Sequence, residues 1–202
     1  MEGLLLLLLS AVGTGGGTWT VAADEEGVRV EQLEGAETPL QEFRAEGVVG
    51  ASPEACLAAV RADEFFARTA PNVAEARVVA SEGESVRWFY ARLDPPFIAA
   101  RDYTLRVEVA AAPSPGGPEL QLLWRVENAR GPGPRPGTVR VERSDGAWRF
   151  LPVDGGRRTL ARYELATDPG GSIPRWLARR AQIAGILAAF EELRRTAAQR
   201  NP

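Results

Sequence analysis

Histidine is absent from this 202-residue chain, and so is lysine: all 24 basic residues are arginine. Without imidazole there is no histidine-based triad, no imidazole acid–base catalyst and none of the commonest transition-metal ligand. Without lysine there is no Schiff-base chemistry, no lysine nucleophile and no P-loop. The single cysteine, Cys56, excludes an intramolecular disulfide and a cysteine-rich zinc site, and its setting in Ala55-Cys56-Leu57-Ala58-Ala59-Val60 reads as a small core position on a helix. Twenty-four arginines against 27 acids leave a net charge of -3 and a pI near 5.3, so there is no overall basic field to hold nucleic acid. Nothing implies a metal or an organic cofactor.

What is present is ordinary globular usage, 45% apolar and 25% charged, in a length that suits one domain with a real core. Residues 4–9 are six leucines, followed by small residues to Thr18. That apolar run is too short to span a bilayer and has the order of a secretory leader, which predicts that segment 1–18 is a signal peptide removed on export or a disordered N-terminal segment, with a periplasmic or secreted domain over 19–198. Glu2 and the lack of an early arginine argue for the other reading, a cytoplasmic protein with an N-terminal helix packed on the domain.

Residues 24–27 read as a turn, and short strands follow over 28–31 and 41–49. Ser52-Pro53-Glu54 supplies an N-cap, a first-turn proline and an early acid, which predicts a helix to about residue 62; Asp63-Glu64-Phe65-Phe66 starts a second, ended by Pro71. From residue 73 the period switches to two, with strands expected over 73–80, 85–93, 103–110, 120–126, 139–143, 148–153 and 159–166. Glu82-Gly83-Glu84, Asp145-Gly146 and Asp154-Gly155-Gly156 read as tight turns of an antiparallel meander, and the Pro/Gly-rich stretches 111–118 and 129–137 as mobile surface loops. After Asp168-Pro169-Gly170-Gly171, apolar residues recur at three and four from Ile173 to Leu193, which predicts one long amphipathic final helix. A sheet of about nine strands, a helix pair and a long closing helix make an α+β architecture.

Against that order, local motifs become legible. Trp19 with Asp24-Glu25-Glu26-Gly27-Val28-Arg29-Val30, then Gln41 to Gly47, Pro95-Pro96-Phe97 followed by Arg101-Asp102-Tyr103, Gly146-Ala147-Trp148 to Pro152, and Asp168 to Leu177 resemble successive segments of the START domain (the StAR-related lipid transfer domain). That family lies within the wider superfamily of birch-pollen-allergen and polyketide-cyclase-like proteins. The resemblance implies a helix-grip fold, in which a curved antiparallel sheet wraps the C-terminal helix and leaves a cavity for one apolar ligand.

Inward alternation then nominates Trp88, Tyr90, Leu105, Val107, Leu122, Trp124, Phe150 and Tyr163 on the strands, and Ile183, Leu187 and Phe190 on the helix, as cavity wall or as plain core. Only one of the adjacent Arg101 and Asp102 can face inward. Arg101 either forms a structural ion pair, for which Arg92 and Glu164 mark charged neighbours in the sheet, or fixes the polar end of a ligand. Trp176 either seats the final helix or forms a lip of the entrance. The function that follows is noncatalytic binding and transfer of a lipid or other apolar small molecule by a monomer, with a mobile loop over 93–101 and transient contact of the arginine-rich helix faces with a membrane. The alternatives are a cyclase or aromatase of the same superfamily and an interaction module with a vestigial cavity, docking through its Pro-rich loops.

Overall fold

The computed structural model describes residues 17–35 and 40–200; most of the expected leader falls outside the described residues. The chain runs β1 (Thr18–Glu25), β2 (Val28–Glu34), β3 (Gln41–Val49), α1 (Pro53–Val60), α2 (Asp63–Thr69), β4 (Val73–Glu82), β5 (Val86–Leu93), β6 (Ala100–Ala112), β7 (Glu119–Val126), β8 (Thr138–Arg140), β9 (Arg143–Val153), β10 (Arg158–Asp168) and α3 (Arg175–Arg200). One sheet holds every strand, in the order β1-β2-β3-β10-β9-β7-β6-β5-β4, all antiparallel, with β8 added parallel to β6. The sheet curves around α3, and α1 and α2 pack against the same helix, which is the helix-grip arrangement.

Local chemistry explains most boundaries. Ser52 accepts the Ala55 N–H at 3.3 Å and Pro53 takes the first turn of α1. Glu26 and Gly27, both at positive φ, form the two-residue connection of the β1–β2 hairpin, the backbone twist such hairpins need. The strand before that turn was not expected: β1 is a half-exposed edge with no strict alternation to mark it.

Two expectations along the chain are corrected. Asp145-Gly146 is not a turn; both residues lie inside β9, paired to β10, and Gly146 also faces Trp124 of β7. A Cβ at Gly146 would fall within the Trp124 ring and on the Glu164 carbonyl, so this glycine makes room for an aromatic rather than for a reversal. The stretch 129–137 is not a free loop. It belongs to a strap, residues 127–137, that passes over Trp88 and Tyr90 on the convex face of β5 and returns to the sheet as β8 beside β6.

The strap makes β5 buried on both faces. Glu127 accepts from the indole N–H of Trp88, Arg130 sits 4.9 Å over the same ring, and Arg135 lies 5.7 Å from the Tyr90 ring. Asn128 accepts the Thr104 N–H at 2.9 Å and donates to the Val141 carbonyl at 2.8 Å. At the centre Arg140 forks onto Asp102, Nε to Oδ1 at 2.7 Å and Nη2 to Oδ2 at 2.9 Å, while the Tyr90 hydroxyl donates to the same carboxylate at 3.1 Å. Asp102 is 1% exposed, so its charge depends on these partners.

On the concave side, Val30, Phe43, Val49, Phe150, Phe190 and Leu193 are fully buried and form the centre of the core under the C-terminal half of α3. α2 is tied to α3 by Arg68 and Glu192 at 3.2 Å. Arg195, then Arg68 and Thr196, hydrogen-bond the Glu192 carboxylate and hold it near pKa 2, against the raising effect of burial.

Two stability predictions follow from these contacts. Arg140→Met strands the buried Asp102 charge and should lower the unfolding free energy by about 3–5 kcal/mol; Arg158→Met, which removes only an exposed partner of Asp154, should cost less than about 1 kcal/mol. Urea titration of both variants checks the contrast. Because the folded Glu192 lies below its ordinary 4.5, its contribution is complete above about pH 4.5 and is lost as the pH falls toward 2. Glu192→Gln should therefore flatten the stability–pH curve in that window, and an unchanged slope would remove the clamp.

Candidate functional site

Between the sheet, α2 and the N-terminal half of α3 lies a cavity of about 320 Å³. Its origin is visible on the helix. The residues that α3 turns toward it are Ala181, Gln182, Gly185, Ile186 and Ala189, and three of these, spaced at four, are Ala or Gly. The sheet stands away from the helix where the helix carries no bulk, and the space between them stays unfilled.

Aromatic residues form most of the wall. Trp124, Trp148 and Tyr163 make a cluster with ring centroids 5.5 Å (Trp124–Tyr163) and 4.8 Å (Trp148–Tyr163) apart. Phe66 of α2 packs edge-on to Phe89 at 5.4 Å and to Tyr103 at 6.5 Å, so the short helix contributes the opposite wall. Leu105, Val107, Leu122 and Leu165 complete the apolar surface. A second hollow, about 340 Å³ and bounded by the polar β4–β5 turn, adjoins the first through Asp63, Arg87, Val107 and Leu122, which line both.

The polar groups are few. At one end Asp63 and Arg87 pair at 2.9 Å. At the other, Arg101 is 7% exposed and lines the cavity, where burial lowers its pKa. Its Nη1 donates to the Ala99 carbonyl, and its Nε has no acceptor. Tyr103 and Tyr163 also line the cavity; burial pushes both phenols well above their ordinary pKa, with each other's proximity adding to it for Tyr163. The hydroxyls therefore stay protonated at any physiological pH.

Of the residues nominated from the sequence, Arg101, Leu105, Val107, Leu122, Trp124 and Tyr163 surround the cavity. Trp88 and Tyr90 do not: they point to the convex face and are covered by the strap, while Arg87, Phe89 and Leu93 face inward. Alternation could not choose between the faces because Trp88, Phe89, Tyr90 and Ala91 are all buried. Phe150 and Phe190 face inward but belong to solid core beside the cavity, Phe190 against Trp148 at 5.0 Å and Phe150 stacked on Trp148 at 5.8 Å. Ile183 and Leu187 pack against the core from the flank of α3.

The ion pair expected of Arg101 is absent among the described residues. Arg92 bonds Asp94, Glu164 lies 3.7 Å from Arg149, and Asp102 is occupied by Arg140 on the opposite face. Trp176 does not seat the helix: it is 66% exposed and borders a shallow groove with Leu33 and Gln41. The residues that sequence reasoning missed are Phe65 and Phe66, Phe89, Tyr103, Trp148 and the small residues of α3. The Phe65-Phe66 pair on a seven-residue helix was the available signal, since so short a helix has only one face to bury.

No protein-family model matches the chain. An uncharacterised protein of Pseudomonas aeruginosa is 28% identical over 185 residues, 90% of this chain and 88% of its own. Among solved structures, a STAR-related lipid transfer protein from Xanthomonas axonopodis superposes with a TM-score of 0.75 at 25% identity, covering 89% of this chain and 98% of that one. Human STARD10 gives 0.73 at 17% identity, covering 90% and 73%. The chain has the fold of the START/helix-grip superfamily.

Gly185 gives a direct handle on the cavity, because a Cβ built there meets nothing within 4 Å. Gly185→Ala should leave the cavity usable and raise stability by up to about 1 kcal/mol through helix propensity. Gly185→Phe should stay folded while filling the space, abolishing uptake of an apolar fluorescent probe. Thermal melts and probe titrations of the two variants check this, and undiminished uptake by folded Gly185→Phe would place the probe elsewhere.

Proposed function

We propose that this protein is a noncatalytic START-type carrier, of the kind found in bacteria, that holds one lipid or other apolar small molecule between the curved sheet and α3. The observation that carries the reading is the cavity itself: about 320 Å³ of aromatic and aliphatic wall, held open by Ala181, Gly185 and Ala189 on the closing helix. That volume lies at the low end of the range of small-molecule sites and suits a compact amphiphile better than a two-chain phospholipid. The likeness to a protein described as STAR-related and lipid-transferring, over nearly its whole length, supports the same reading.

A carrier is favoured over a cyclase by the composition of the wall. Acid–base chemistry needs a base within reach of an acid; among the described residues the only carboxylate in the wall is Asp63, bonded to Arg87 at the rim. Loading through a membrane surface, by the protein as a monomer, fits the exposed Phe97, Trp176 and Leu177 and the arginines at 175, 179 and 180.

Native mass spectrometry of the purified protein tests the proposal. A stoichiometric apolar adduct that is missing from Gly185→Phe is the expected result. A protein that emerges empty and refuses fatty acids, sterols and phospholipids alike would overturn it.

A further inference from the structure

We propose that the ligand is an anionic single-chain amphiphile whose terminal carboxylate sits on Arg101. This rests on the carrier reading above and names the chemical class of what is carried.

Arg101 is the most buried arginine of the described chain and has no carboxylate within 4 Å among the described residues, although most other arginines form an ion pair. The acid beside it in sequence cannot serve: alternation along β6 sends Asp102 to the convex face, where Arg140 and Tyr90 occupy it. A guanidinium taken out of water without a counter-charge is costly, and a protein that retains one has a use for its donors. Of its three nitrogens, two have no acceptor among the described residues, and they are adjacent. Nη1 donates to the Ala99 carbonyl, the buried Nε has no acceptor, and Nη2 has no hydrogen-bond partner among the described residues. Nε and Nη2 form the side-on fork that matches the two oxygens of a carboxylate. Gly171, at positive φ, lies beside Nη2, where a Cβ would come within 3.5 Å of it, so the loop after β10 passes the guanidinium with no side chain at that position.

The rest of the wall has the same sense. Tyr103 and Tyr163 bring hydroxyls to the cavity with no hydrogen-bond partner among the described residues, and burial keeps them protonated. Cation and hydroxyl donors without a free acceptor carboxylate select an anion over a cation or a zwitterion. Beyond them, Leu105 and Val107 continue inward along β6, so a chain anchored at Arg101 has roughly 20 Å of strand to lie along, facing Phe66, Trp124 and Ile186.

The test compares palmitate, hexadecanol, methyl palmitate and cholesterol for binding at pH 7.5 to the full protein and to Arg101→Met, a substitution of similar length without charge. The expected result is at least tenfold tighter binding of palmitate than of hexadecanol to the native protein, and loss of that preference in Arg101→Met with hexadecanol affinity kept. Arg101→Met should also melt no lower than the native protein, because it removes an unpaired buried charge. Equal affinity for the acid, alcohol and ester, or a preference for cholesterol, would overturn the headgroup assignment and leave the carrier reading standing. Binding of none of the four would overturn the headgroup assignment, and a protein that is also empty by native mass spectrometry and refuses phospholipids would overturn the carrier reading with it. If Arg101→Met fails to fold, the acid-to-alcohol ratio of the native protein decides alone.

Discussion

The whole structure turns on a mismatch between one helix and one strongly curved sheet. A nine-strand antiparallel path that bends around α3 offers more concave surface than a single helix can fill, so packing must either recruit more elements or leave a void. This chain does both. At the C-terminal half of α3, Phe190, Leu193 and Ala197 seal against Val30, Phe43 and Phe150. Over the N-terminal half the helix turns small, α2 is brought in with Phe65 and Phe66, and the space that remains is the cavity. Stability and site are thus assigned to opposite ends of the same helix.

The convex face solves a different problem with consequences for the first. By laying residues 127–137 over β5 and returning as β8, the chain buries Trp88, Tyr90 and Asp102 on the outside of the sheet. The Arg140–Asp102 fork fixes the backbone of β6 at the point from which Arg101 projects inward. Asp102, the acid next to Arg101 in sequence, faces the other side of the sheet and is held by Arg140, and the guanidinium is left with open donors at the head of an apolar chamber. The charge pattern of the cavity is therefore set in part by the layer behind it.

How much of this was readable from residues alone depended on whether one face of an element was wet. The α1 cap, the β1–β2 turn and the long final helix were legible because Ser52-Pro53, Glu26-Gly27 and the spacing from Ile173 to Leu193 carry their own local reasons. β5 was not, since burial on both sides erases the alternation that would orient Trp88 and Tyr90. The helix wall was missed for a related reason. Large apolar residues such as Leu187 and Phe190 were nominated as liners, whereas large residues fill space and cavities appear opposite small ones. Gly146 carried the sign of a turn but serves to admit Trp124, a role that only the neighbouring strand reveals.

The space beside Gly185, lined by apolar side chains with Arg101 at one end, is where a bound ligand belongs. A crystal structure of the protein grown with palmitate tests this placement most directly. Continuous density along Tyr103, Leu105 and Val107, with its branched end at the Arg101 guanidinium, is the expected result. Density confined to the groove beside Trp176, or a chamber closed by its own side chains, would contradict it.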